Sequence, residues 1–154
     1  MSDINKILDN LRRQCSRREY CTSDVLKKAE KALEGDKEKA MQVVATLVEE
    51  KYVDDLRYAS AYAREKSAIS GWGEVKIRYM LSAKGISRNL ISQALEEVDA
   101  QRADNRLLKL LENKYRTLKE DPQCRLKLLR FALGRGYSYD EVNGHIDTLI
   151  RGDK

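Results

Sequence analysis

The sequence reads KIRYMLSAKGIS at residues 76–87, and 51 residues later it reads KLLRFALGRGYS at residues 127–138. In both passages a lysine and an apolar stretch are followed by a basic residue, a glycine, an apolar residue and a serine. Glycine readily ends a helix and serine readily caps the next one, so each passage indicates two helices joined by a tight turn. A unit that returns at a constant offset predicts a tandem helical repeat, which usually offers a surface to another macromolecule.

The rest of the chain also favours helices. It has 154 residues, of which 36% are charged and only one is proline. Apolar residues recur at helical spacing along almost its whole length. We therefore predict an all-α protein of three tandem three-helix (helix-turn-helix-like) repeats that form an elongated, curved stack. The predicted repeats are residues 1–53, 54–98 and 99–150, followed by a tail at 151–154.

Particular residues mark the predicted helix ends. Asp36, Ser87, Ser138 and the pair Asp54-Asp55 should cap helix starts, and Gly35 should end the second helix in the left-handed conformation. The apolar stripes predict a core that includes Leu8, Leu11, Val43, Val44, Leu47, Val48, Val75, Ile77, Met80, Leu81, Ile91, Leu107, Leu111, Leu126, Leu128, Leu133, Val142 and Ile146.

The charge pattern suggests an acidic partner. The net charge is +5 and the sequence pI is near 9.1. The excess of basic residues lies toward the C-terminus, where the segment from Arg102 to Arg135 has ten Lys or Arg and four Asp or Glu. Such a surplus fits a nucleic acid, and an ordinary solvated helix face is the alternative interpretation.

Several classes of protein are disfavoured. No apolar run approaches the roughly 18 to 20 residues of a membrane span, and Asp3 and Lys6 stand where a signal peptide needs apolar residues, so we expect a cytoplasmic protein. The three cysteines include no C-x-x-C pair, which argues against a disulfide framework or a zinc site. His145 has no Ser or Cys partner at the spacing of a catalytic triad, and no G-x-x-x-x-G-K-[ST] loop is present. We expect neither an enzyme nor a bound metal or cofactor.

Six stretches together resemble the RecX family, regulators of the RecA recombinase. They are REYC at 18–21, YVDDLRYA at 52–59, GWG at 71–73 followed by KI at 76–77, LSAKGI at 81–86, KLLRF at 127–131 and RGYS at 135–138. In order and with family-like spacing, the resemblance covers about residues 10 to 150. It implies a cytoplasmic bacterial protein of three tandem repeats that lies in the groove of the RecA filament on single-stranded DNA. There it would inhibit ATP hydrolysis and strand exchange by RecA, and so affect recombination, DNA repair and the SOS response, with no catalytic residues of its own.

Two positions depart from the family pattern. Lys51 stands where the family usually has glycine, and a lysine at positive φ would cost roughly 1 kcal/mol. Cys21 replaces a capping serine, so we expect Thr22 or Ser23 to cap the second helix.

Filament binding needs a polar surface that reaches phosphates, and outward basic side chains supply one. Lys76 with Lys127, and Lys84 with Arg135, occupy equivalent points of the repeat and are the strongest candidates. The full predicted set is Lys76, Arg78, Lys84, Arg88, Arg106, Lys109, Lys114, Arg116, Arg125, Lys127, Arg130 and Arg135.

The aromatic residues allow two interpretations. Trp72 could be an exposed platform for stacking a base, or it could anchor its loop on the helices. We expect core or groove-lining positions for the other aromatic residues at helical spacing, and buried positions for the residues that follow the repeat glycines. The former are Tyr58, Tyr62, Tyr79 and Phe131, and the latter are Ile86 and Tyr137.

Two other functions remain open at this point. Residues 75–98 could form a DNA-reading helix-turn-helix, although the second helix carries Glu96 and Glu97 and only Arg88 as a base. The chain could also be a helical-repeat scaffold for another protein. Its binding to that protein would then not depend on DNA or on salt concentration. The expected partners are the RecA filament and, weakly or indirectly, single-stranded DNA, with no membrane contact and a monomeric chain.

Overall fold

The computed structural model describes residues 3–152, and within them the chain forms nine helices and no strand. The all-α prediction is therefore confirmed. None of these helices is long and apolar enough to cross a membrane. The helices are α1 (Ile4–Arg17), α2 (Thr22–Ala32), α3 (Lys37–Glu49), α4 (Asp55–Ala68), α5 (Glu74–Ala83), α6 (Arg88–Glu96), α7 (Ala100–Leu118), α8 (Cys124–Gly134) and α9 (Tyr139–Gly152).

The turns after α5 and α8 have the same backbone arrangement. Glycine is left-handed in both, with φ of +80° at Gly85 and +95° at Gly136. The next residue, Ile86 or Tyr137, donates its backbone N–H to the last turn of the preceding helix, with an N···O distance of 3.3 Å in each case. This is the Schellman arrangement, in which a left-handed residue returns hydrogen bonds to free helix carbonyls. Both glycines end helices, as predicted, and the residue after each is 4% exposed.

The serine that closes each repeated passage caps the helix that follows. The Ser87 hydroxyl accepts a bond from the Leu90 N–H at 3.3 Å, and the Ser138 hydroxyl accepts one from the Glu141 N–H at 3.3 Å. Each occupies one of the helix N–H groups that lack an intrahelical partner. The repeated passage is thus a helix end and a helix start in one unit.

Carboxylates cap four of the other helices, α1, α3, α4 and α7, and these include the caps predicted at Asp36 and Asp54. Asp36 accepts from the Lys39 N–H at 3.1 Å, and Asp54 accepts from the Arg57 N–H at 3.0 Å. Asp36 immediately precedes α3 and Asp54 immediately precedes α4, so each negative charge also lies at the positive end of a helix dipole.

The end of α3 uses a lysine where glycine would be easiest. Lys51 has φ +65°, and the next residue, Tyr52, donates its N–H to the Leu47 carbonyl at 2.9 Å, which is again the Schellman arrangement. The end of α2 differs slightly from the prediction, because Glu34 takes the first left-handed position with φ +57° and Gly35 follows with φ +89°. Both non-glycine residues carry strain of roughly 1 to 2 kcal/mol.

The start of α2 shows that the expected cap by Thr22 or Ser23 is wrong. Cys21 precedes the helix and makes no capping bond through its side chain. The Thr22 N–H and hydroxyl both donate to Asp55 Oδ1, at 2.7 and 2.9 Å, and the Ser23 hydroxyl donates to the Lys84 carbonyl at 2.6 Å. Thr22 and Ser23 therefore bind residues of other parts of the chain. The Asp55 carboxylate accepts the Thr22 N–H, which is the first N–H of α2.

The chain divides into two compact units. The first contains residues up to Ala61 together with Leu81–Ala94, and the second contains Tyr62–Met80 together with residues from Leu95 onward. The three-way division into repeats stays a prediction; of its tail, 151 and 152 belong to α9 and the last two residues lie outside the described part.

Each unit has a core of buried apolar side chains. In the first unit, residues from α1, α2 and α3 pack together, and in the second, residues from α7, α8 and α9 do so. The first core contains Leu8, Leu11, Val25, Ala29, Ala40, Val43, Val44, Leu47 and Val53, and the second contains Leu107, Leu111, Cys124, Leu128, Ala132, Tyr137, Val142 and Ile146.

Several predicted core residues are instead exposed. A helix buries one stripe of side chains, and apolar residues outside that stripe face solvent even when their neighbours in sequence are buried. Ile77 and Leu81 occupy the buried stripe of α5, as predicted. The exposed residues are Val48, Val75, Met80, Leu126 and Leu133, and Tyr79, expected in the core or a groove, is 71% exposed.

Candidate partner-binding surface

The turn between α8 and α9 lies directly on the start of α5. The Gly73 N–H donates to the Arg135 carbonyl at 2.8 Å, and the Val75 N–H donates to the Gly136 carbonyl at 2.9 Å. These bonds use N–H groups at a helix start, which have no partner within their own helix. The GWG segment and the RGY segment, distant in sequence, therefore form one contact.

Both glycines in this contact are required by the close approach of the two backbones. A Cβ at Gly73 would overlap the Gly136 carbonyl, and a Cβ at Gly136 would overlap the Lys76 backbone and Cβ. The Tyr137 hydroxyl adds a bond to the Gly71 carbonyl at 2.9 Å, and burial of this phenol raises its pKa above the ordinary value. The contact fixes the loop that carries Trp72.

The turn between α5 and α6 makes the corresponding contact in the first unit. It lies at the start of α2, where Ser23 binds the Lys84 carbonyl and Asp24 pairs with Lys84 Nζ at 2.8 Å. A Cβ at Gly85 would meet no atom within 4 Å. The turn after α5 thus packs on the start of α2, and the turn after α8 packs on the start of α5. Side chains of α2 make the first contact, and backbone N–H groups near the start of α5 make the second.

The ion pair in this contact shifts both of its pKa values. Partial burial acts to raise the pKa of Asp24, but hydrogen bonds from Lys84 and Cys21 lower it below the ordinary value. The hydrogen bond to Asp24 raises the pKa of Lys84. Both groups are therefore charged across the neutral range.

Two lysines contact the ring of Trp72. Lys66 Nζ lies 4.9 Å from the ring centroid and Lys76 Nζ lies 4.3 Å from it, while the Tyr62 ring packs edge-on at a centroid distance of 6.3 Å. Trp72 is half-buried and hydrogen bonds hold its loop on the helices, which agrees with the anchoring interpretation, while base stacking on this residue stays a prediction. We refer to Lys66, Trp72 and Lys76 as the Trp72 cluster.

Lys66 is a member of this cluster that the sequence analysis missed. It lies four residues after Tyr62, and its ammonium is 5.5 Å from the centroid of that ring. Residues at i and i+4 share a helix face, so the spacing of Tyr62 and Lys66 could have predicted this contact from the sequence.

A second aromatic ring also holds basic side chains. Lys114 Nζ and the Arg135 guanidinium carbon each lie 5.2 Å from the centroid of Phe131. Such cation–π contacts orient a charge without neutralising it.

Four residues of the predicted basic set form ion pairs with carboxylates. All four side chains are between 38% and 46% exposed, so solvent screens these pairs and a phosphate could replace the carboxylate at small cost. The pairs are Arg78 with Glu74, Lys84 with Asp24, Arg125 with Asp147 and Lys127 with Asp121.

The other members have no carboxylate partner within residues 3–152. Arg106 donates to the Ser67 hydroxyl at 2.7 Å, and its buried Nε has no partner among the described atoms. The remaining unpaired members are Lys76, Arg88, Lys109, Lys114, Arg116, Arg130 and Arg135. Lys76 and Lys127 therefore differ in environment despite their equivalence in the repeat, and so do Lys84 and Arg135.

A cavity of about 320 Å³ lies beside Trp72 within the second unit. Its lining includes the carboxylates of Glu74, Asp104 and Glu141, and Asp104 is bonded to His145 Nε2 at 2.7 Å. The described residues contain no group of three or more His, Cys, Asp or Glu placed to hold a metal ion. The acidic lining makes this cavity unfavourable for an anion.

Two family models match the chain. The model described as "RecX, second three-helix domain" matches residues 54–95, and the one described as "RecX, third three-helix domain" matches residues 103–144. The chain belongs to the RecX family. Within these RecX domains, the GWG segment lies in the second and the RGY segment in the third, and the three-helix character predicted for both is confirmed.

Curated relatives agree with this assignment. The chain is similar to the regulatory protein RecX of Clostridium tetani, with 30% identity over 116 residues that cover 73% of this chain and 53% of the relative. It is also similar to RecX of Clostridium perfringens, with 33% identity over 131 residues that cover 82% of this chain and 60% of the relative. The chain thus spans between half and two thirds of the length of these relatives.

Solved RecX structures share the fold. RecX from Lactobacillus salivarius superposes with a TM-score of 0.81 at 23% identity, covering 95% of this chain and 96% of that one. Another crystal structure of regulatory protein RecX gives a TM-score of 0.82 at 23% identity, covering 94% and 71% of the two chains. At 23% identity, the similarity to these two structures establishes the fold of this chain.

Proposed function

We propose that this protein binds the RecA filament on single-stranded DNA and inhibits ATP hydrolysis and strand exchange by RecA. Membership of the RecX family is the observation that carries the proposal. The protein acts in the cytoplasm by stoichiometric binding, and it needs no catalytic group of its own.

The basic set supports this proposal, and ten of its twelve members lie in the second unit. The members without carboxylate partners are available to phosphates or to acidic residues of RecA. Single screened charges contribute little, but several phosphate contacts add together. We therefore propose that the unpaired members of the basic set make the main contacts, and that the paired members contribute less.

The proposal is tested by adding purified protein to RecA assembled on single-stranded DNA and measuring ATP turnover. We expect turnover to fall as the protein approaches stoichiometry with the filament. Unchanged ATP turnover by RecA at a saturating concentration of this protein would contradict the proposal.

Charge reversals refine this test. Lys76→Glu should weaken inhibition more than Lys127→Glu, because Lys127 is already neutralised by Asp121 while Lys76 has no carboxylate partner in the described residues. Lys37→Glu is a matched control, since this exposed lysine lies at the start of α3, where a carboxylate suits the helix dipole. Equal effects of all three reversals would contradict the assignment of contacts.

A further inference from the structure

We propose that the Trp72 cluster binds the phosphodiester backbone of single-stranded nucleic acid and stacks a base against the half-buried Trp72 side chain. The inference deepens the proposed function, since it rests on the idea that the protein meets single-stranded DNA in the filament. It names a specific site for that contact.

Two ammonium groups share one aromatic ring in this cluster. Lys66 and Lys76 lie 4.9 and 4.3 Å from the Trp72 centroid, and neither pairs with a carboxylate of residues 3–152. A ring attracts an ammonium but leaves its full charge available. The cluster therefore concentrates two uncompensated positive charges that are already oriented, which lowers the entropy lost when a phosphate binds.

The loop that carries Trp72 is fixed at both ends. The Trp72 N–H donates to the Lys66 carbonyl at 2.9 Å, which holds the loop against the end of α4. On the other side, the Gly73 N–H donates to the Arg135 carbonyl. A stacking side chain on a rigid loop meets a base without first ordering itself.

A nucleotide matches the chemistry of the cluster better than a carboxylate side chain does. Its phosphate pairs with the lysines, and its base offers a flat surface to the indole, which is worth about 1 to 3 kcal/mol per stacked base. An acidic peptide would satisfy the lysines alone. The lining of the cavity beside Trp72 includes Glu74, Asp104 and Glu141 but neither Lys66 nor Lys76, so the lysines and not this cavity are the site for a phosphate.

The chain offers a direct probe, because Trp72 is its only tryptophan. The 154-residue chain is titrated with a short oligo(dT) at low salt without RecA, and indole emission is recorded beside the anisotropy of a labelled oligo(dT). We expect a saturable change in emission that follows the anisotropy. The double variant Lys66→Ala, Lys76→Ala should bind at least tenfold more weakly, and the slope of log K against log salt should become shallower by about 1.4, because two phosphate contacts are lost.

Matched variants control for charge and folding. Lys31→Ala with Lys37→Ala removes two exposed lysines from the first unit and should bind as the parent does. Trp72→Phe keeps an aromatic ring and should lose less affinity than Trp72→Ala. Circular dichroism and urea unfolding verify that each variant is folded.

Several results would overturn the proposal. They are the absence of oligo(dT) binding, saturated binding with unchanged indole emission, and undiminished affinity in the folded double-lysine variant. Equal binding of poly-Glu at the same site would assign it to an acidic peptide instead. RecA is absent from these measurements, so failure to inhibit RecA and failure to bind oligo(dT) are separate results.

Discussion

Gly85 and Gly136 occupy equivalent positions of the repeat, yet their surroundings differ. Both have positive φ, but only Gly136 is crowded by the Lys76 backbone and side chain. Gly85→Ala should cost about 1 to 2 kcal/mol in the free energy of unfolding, which is the cost of the left-handed conformation. Gly136→Ala should cost more than about 3 kcal/mol, because α5 must also move away from the turn.

Urea unfolding of the two variants checks this difference. Gly144→Ala is a useful control, since Gly144 lies within α9 with no atom within 4 Å of an added Cβ, and alanine there should stabilise the helix by up to about 1 kcal/mol. Equal losses in Gly85→Ala and Gly136→Ala would show that the close approach at Gly136 is relieved at no cost.

At the scale of helices and turns, the pair of Asp24 and Lys84 holds the turn after α5 against the start of α2. Asp24→Asn should lower the free energy of unfolding by about 1 kcal/mol at pH 7, a modest value because Lys84 is 43% exposed. The pKa of Asp24 is lowered in the folded state, so its contribution is present above the ordinary value near 3.9 and is lost as the pH falls through the folded pKa. The raised pKa of Lys84 preserves the contribution up to strongly alkaline pH.

The measurement is urea unfolding of the parent and of Asp24→Asn at several pH values between about 2 and 8. The two curves should converge at the acid end. Glu65→Gln changes an exposed carboxylate inside α4, away from the first turn of that helix, and serves as the control. A difference that stays constant down to the lowest pH would contradict a role for the ionised carboxylate.

Helices and their ends could largely be predicted, because their causes are local. Ser87, Ser138 and Asp36 each cap a helix by accepting from the N–H three residues later, so the signal lies within a few letters of sequence. The start of α2 could not be predicted. Its first N–H binds Asp55, which is 33 residues away, and no local pattern encodes that distance.

The Trp72 cluster could be predicted only in part, for the same reason. Trp72 and Lys76 stand out in the sequence, but the interactions that position them come from α4 and from the turn after α8. The basic set could be selected by composition. Which of its members are neutralised depends on carboxylates such as Asp24 and Asp147, and only the fold brings those to Lys84 and Arg125.

For the molecule as a whole, the net charge of +5 and the basic residues without carboxylate partners should make the proposed filament binding depend on salt. If four phosphates are contacted, raising the salt from 50 to 200 mM should weaken binding to the RecA filament on single-stranded DNA about 50-fold. Co-sedimentation with filaments held by a non-hydrolysable nucleotide measures this. Filament formation is verified at each salt concentration.

The variant Lys76→Glu with Arg130→Glu provides the comparison for this measurement. It should bind more weakly at low salt and respond less to added salt, because fewer counterions are released. Salt-independent binding by the parent protein would favour a scaffold that recognises its partner through neutral contacts.

The bonds between the GWG segment and the turn after α8 also determine where chimeric proteins can be joined. A graft that exchanged residues 99–152 alone would replace the carbonyls of Arg135 and Gly136, on which the start of α5 depends. The donor chain would have to supply a turn of the same shape, with glycine facing Lys76. In protein engineering, the exchangeable module is therefore the second unit, residues 62–80 with those from 95 onward, and its boundaries lie inside α4, α5 and α6 rather than in loops.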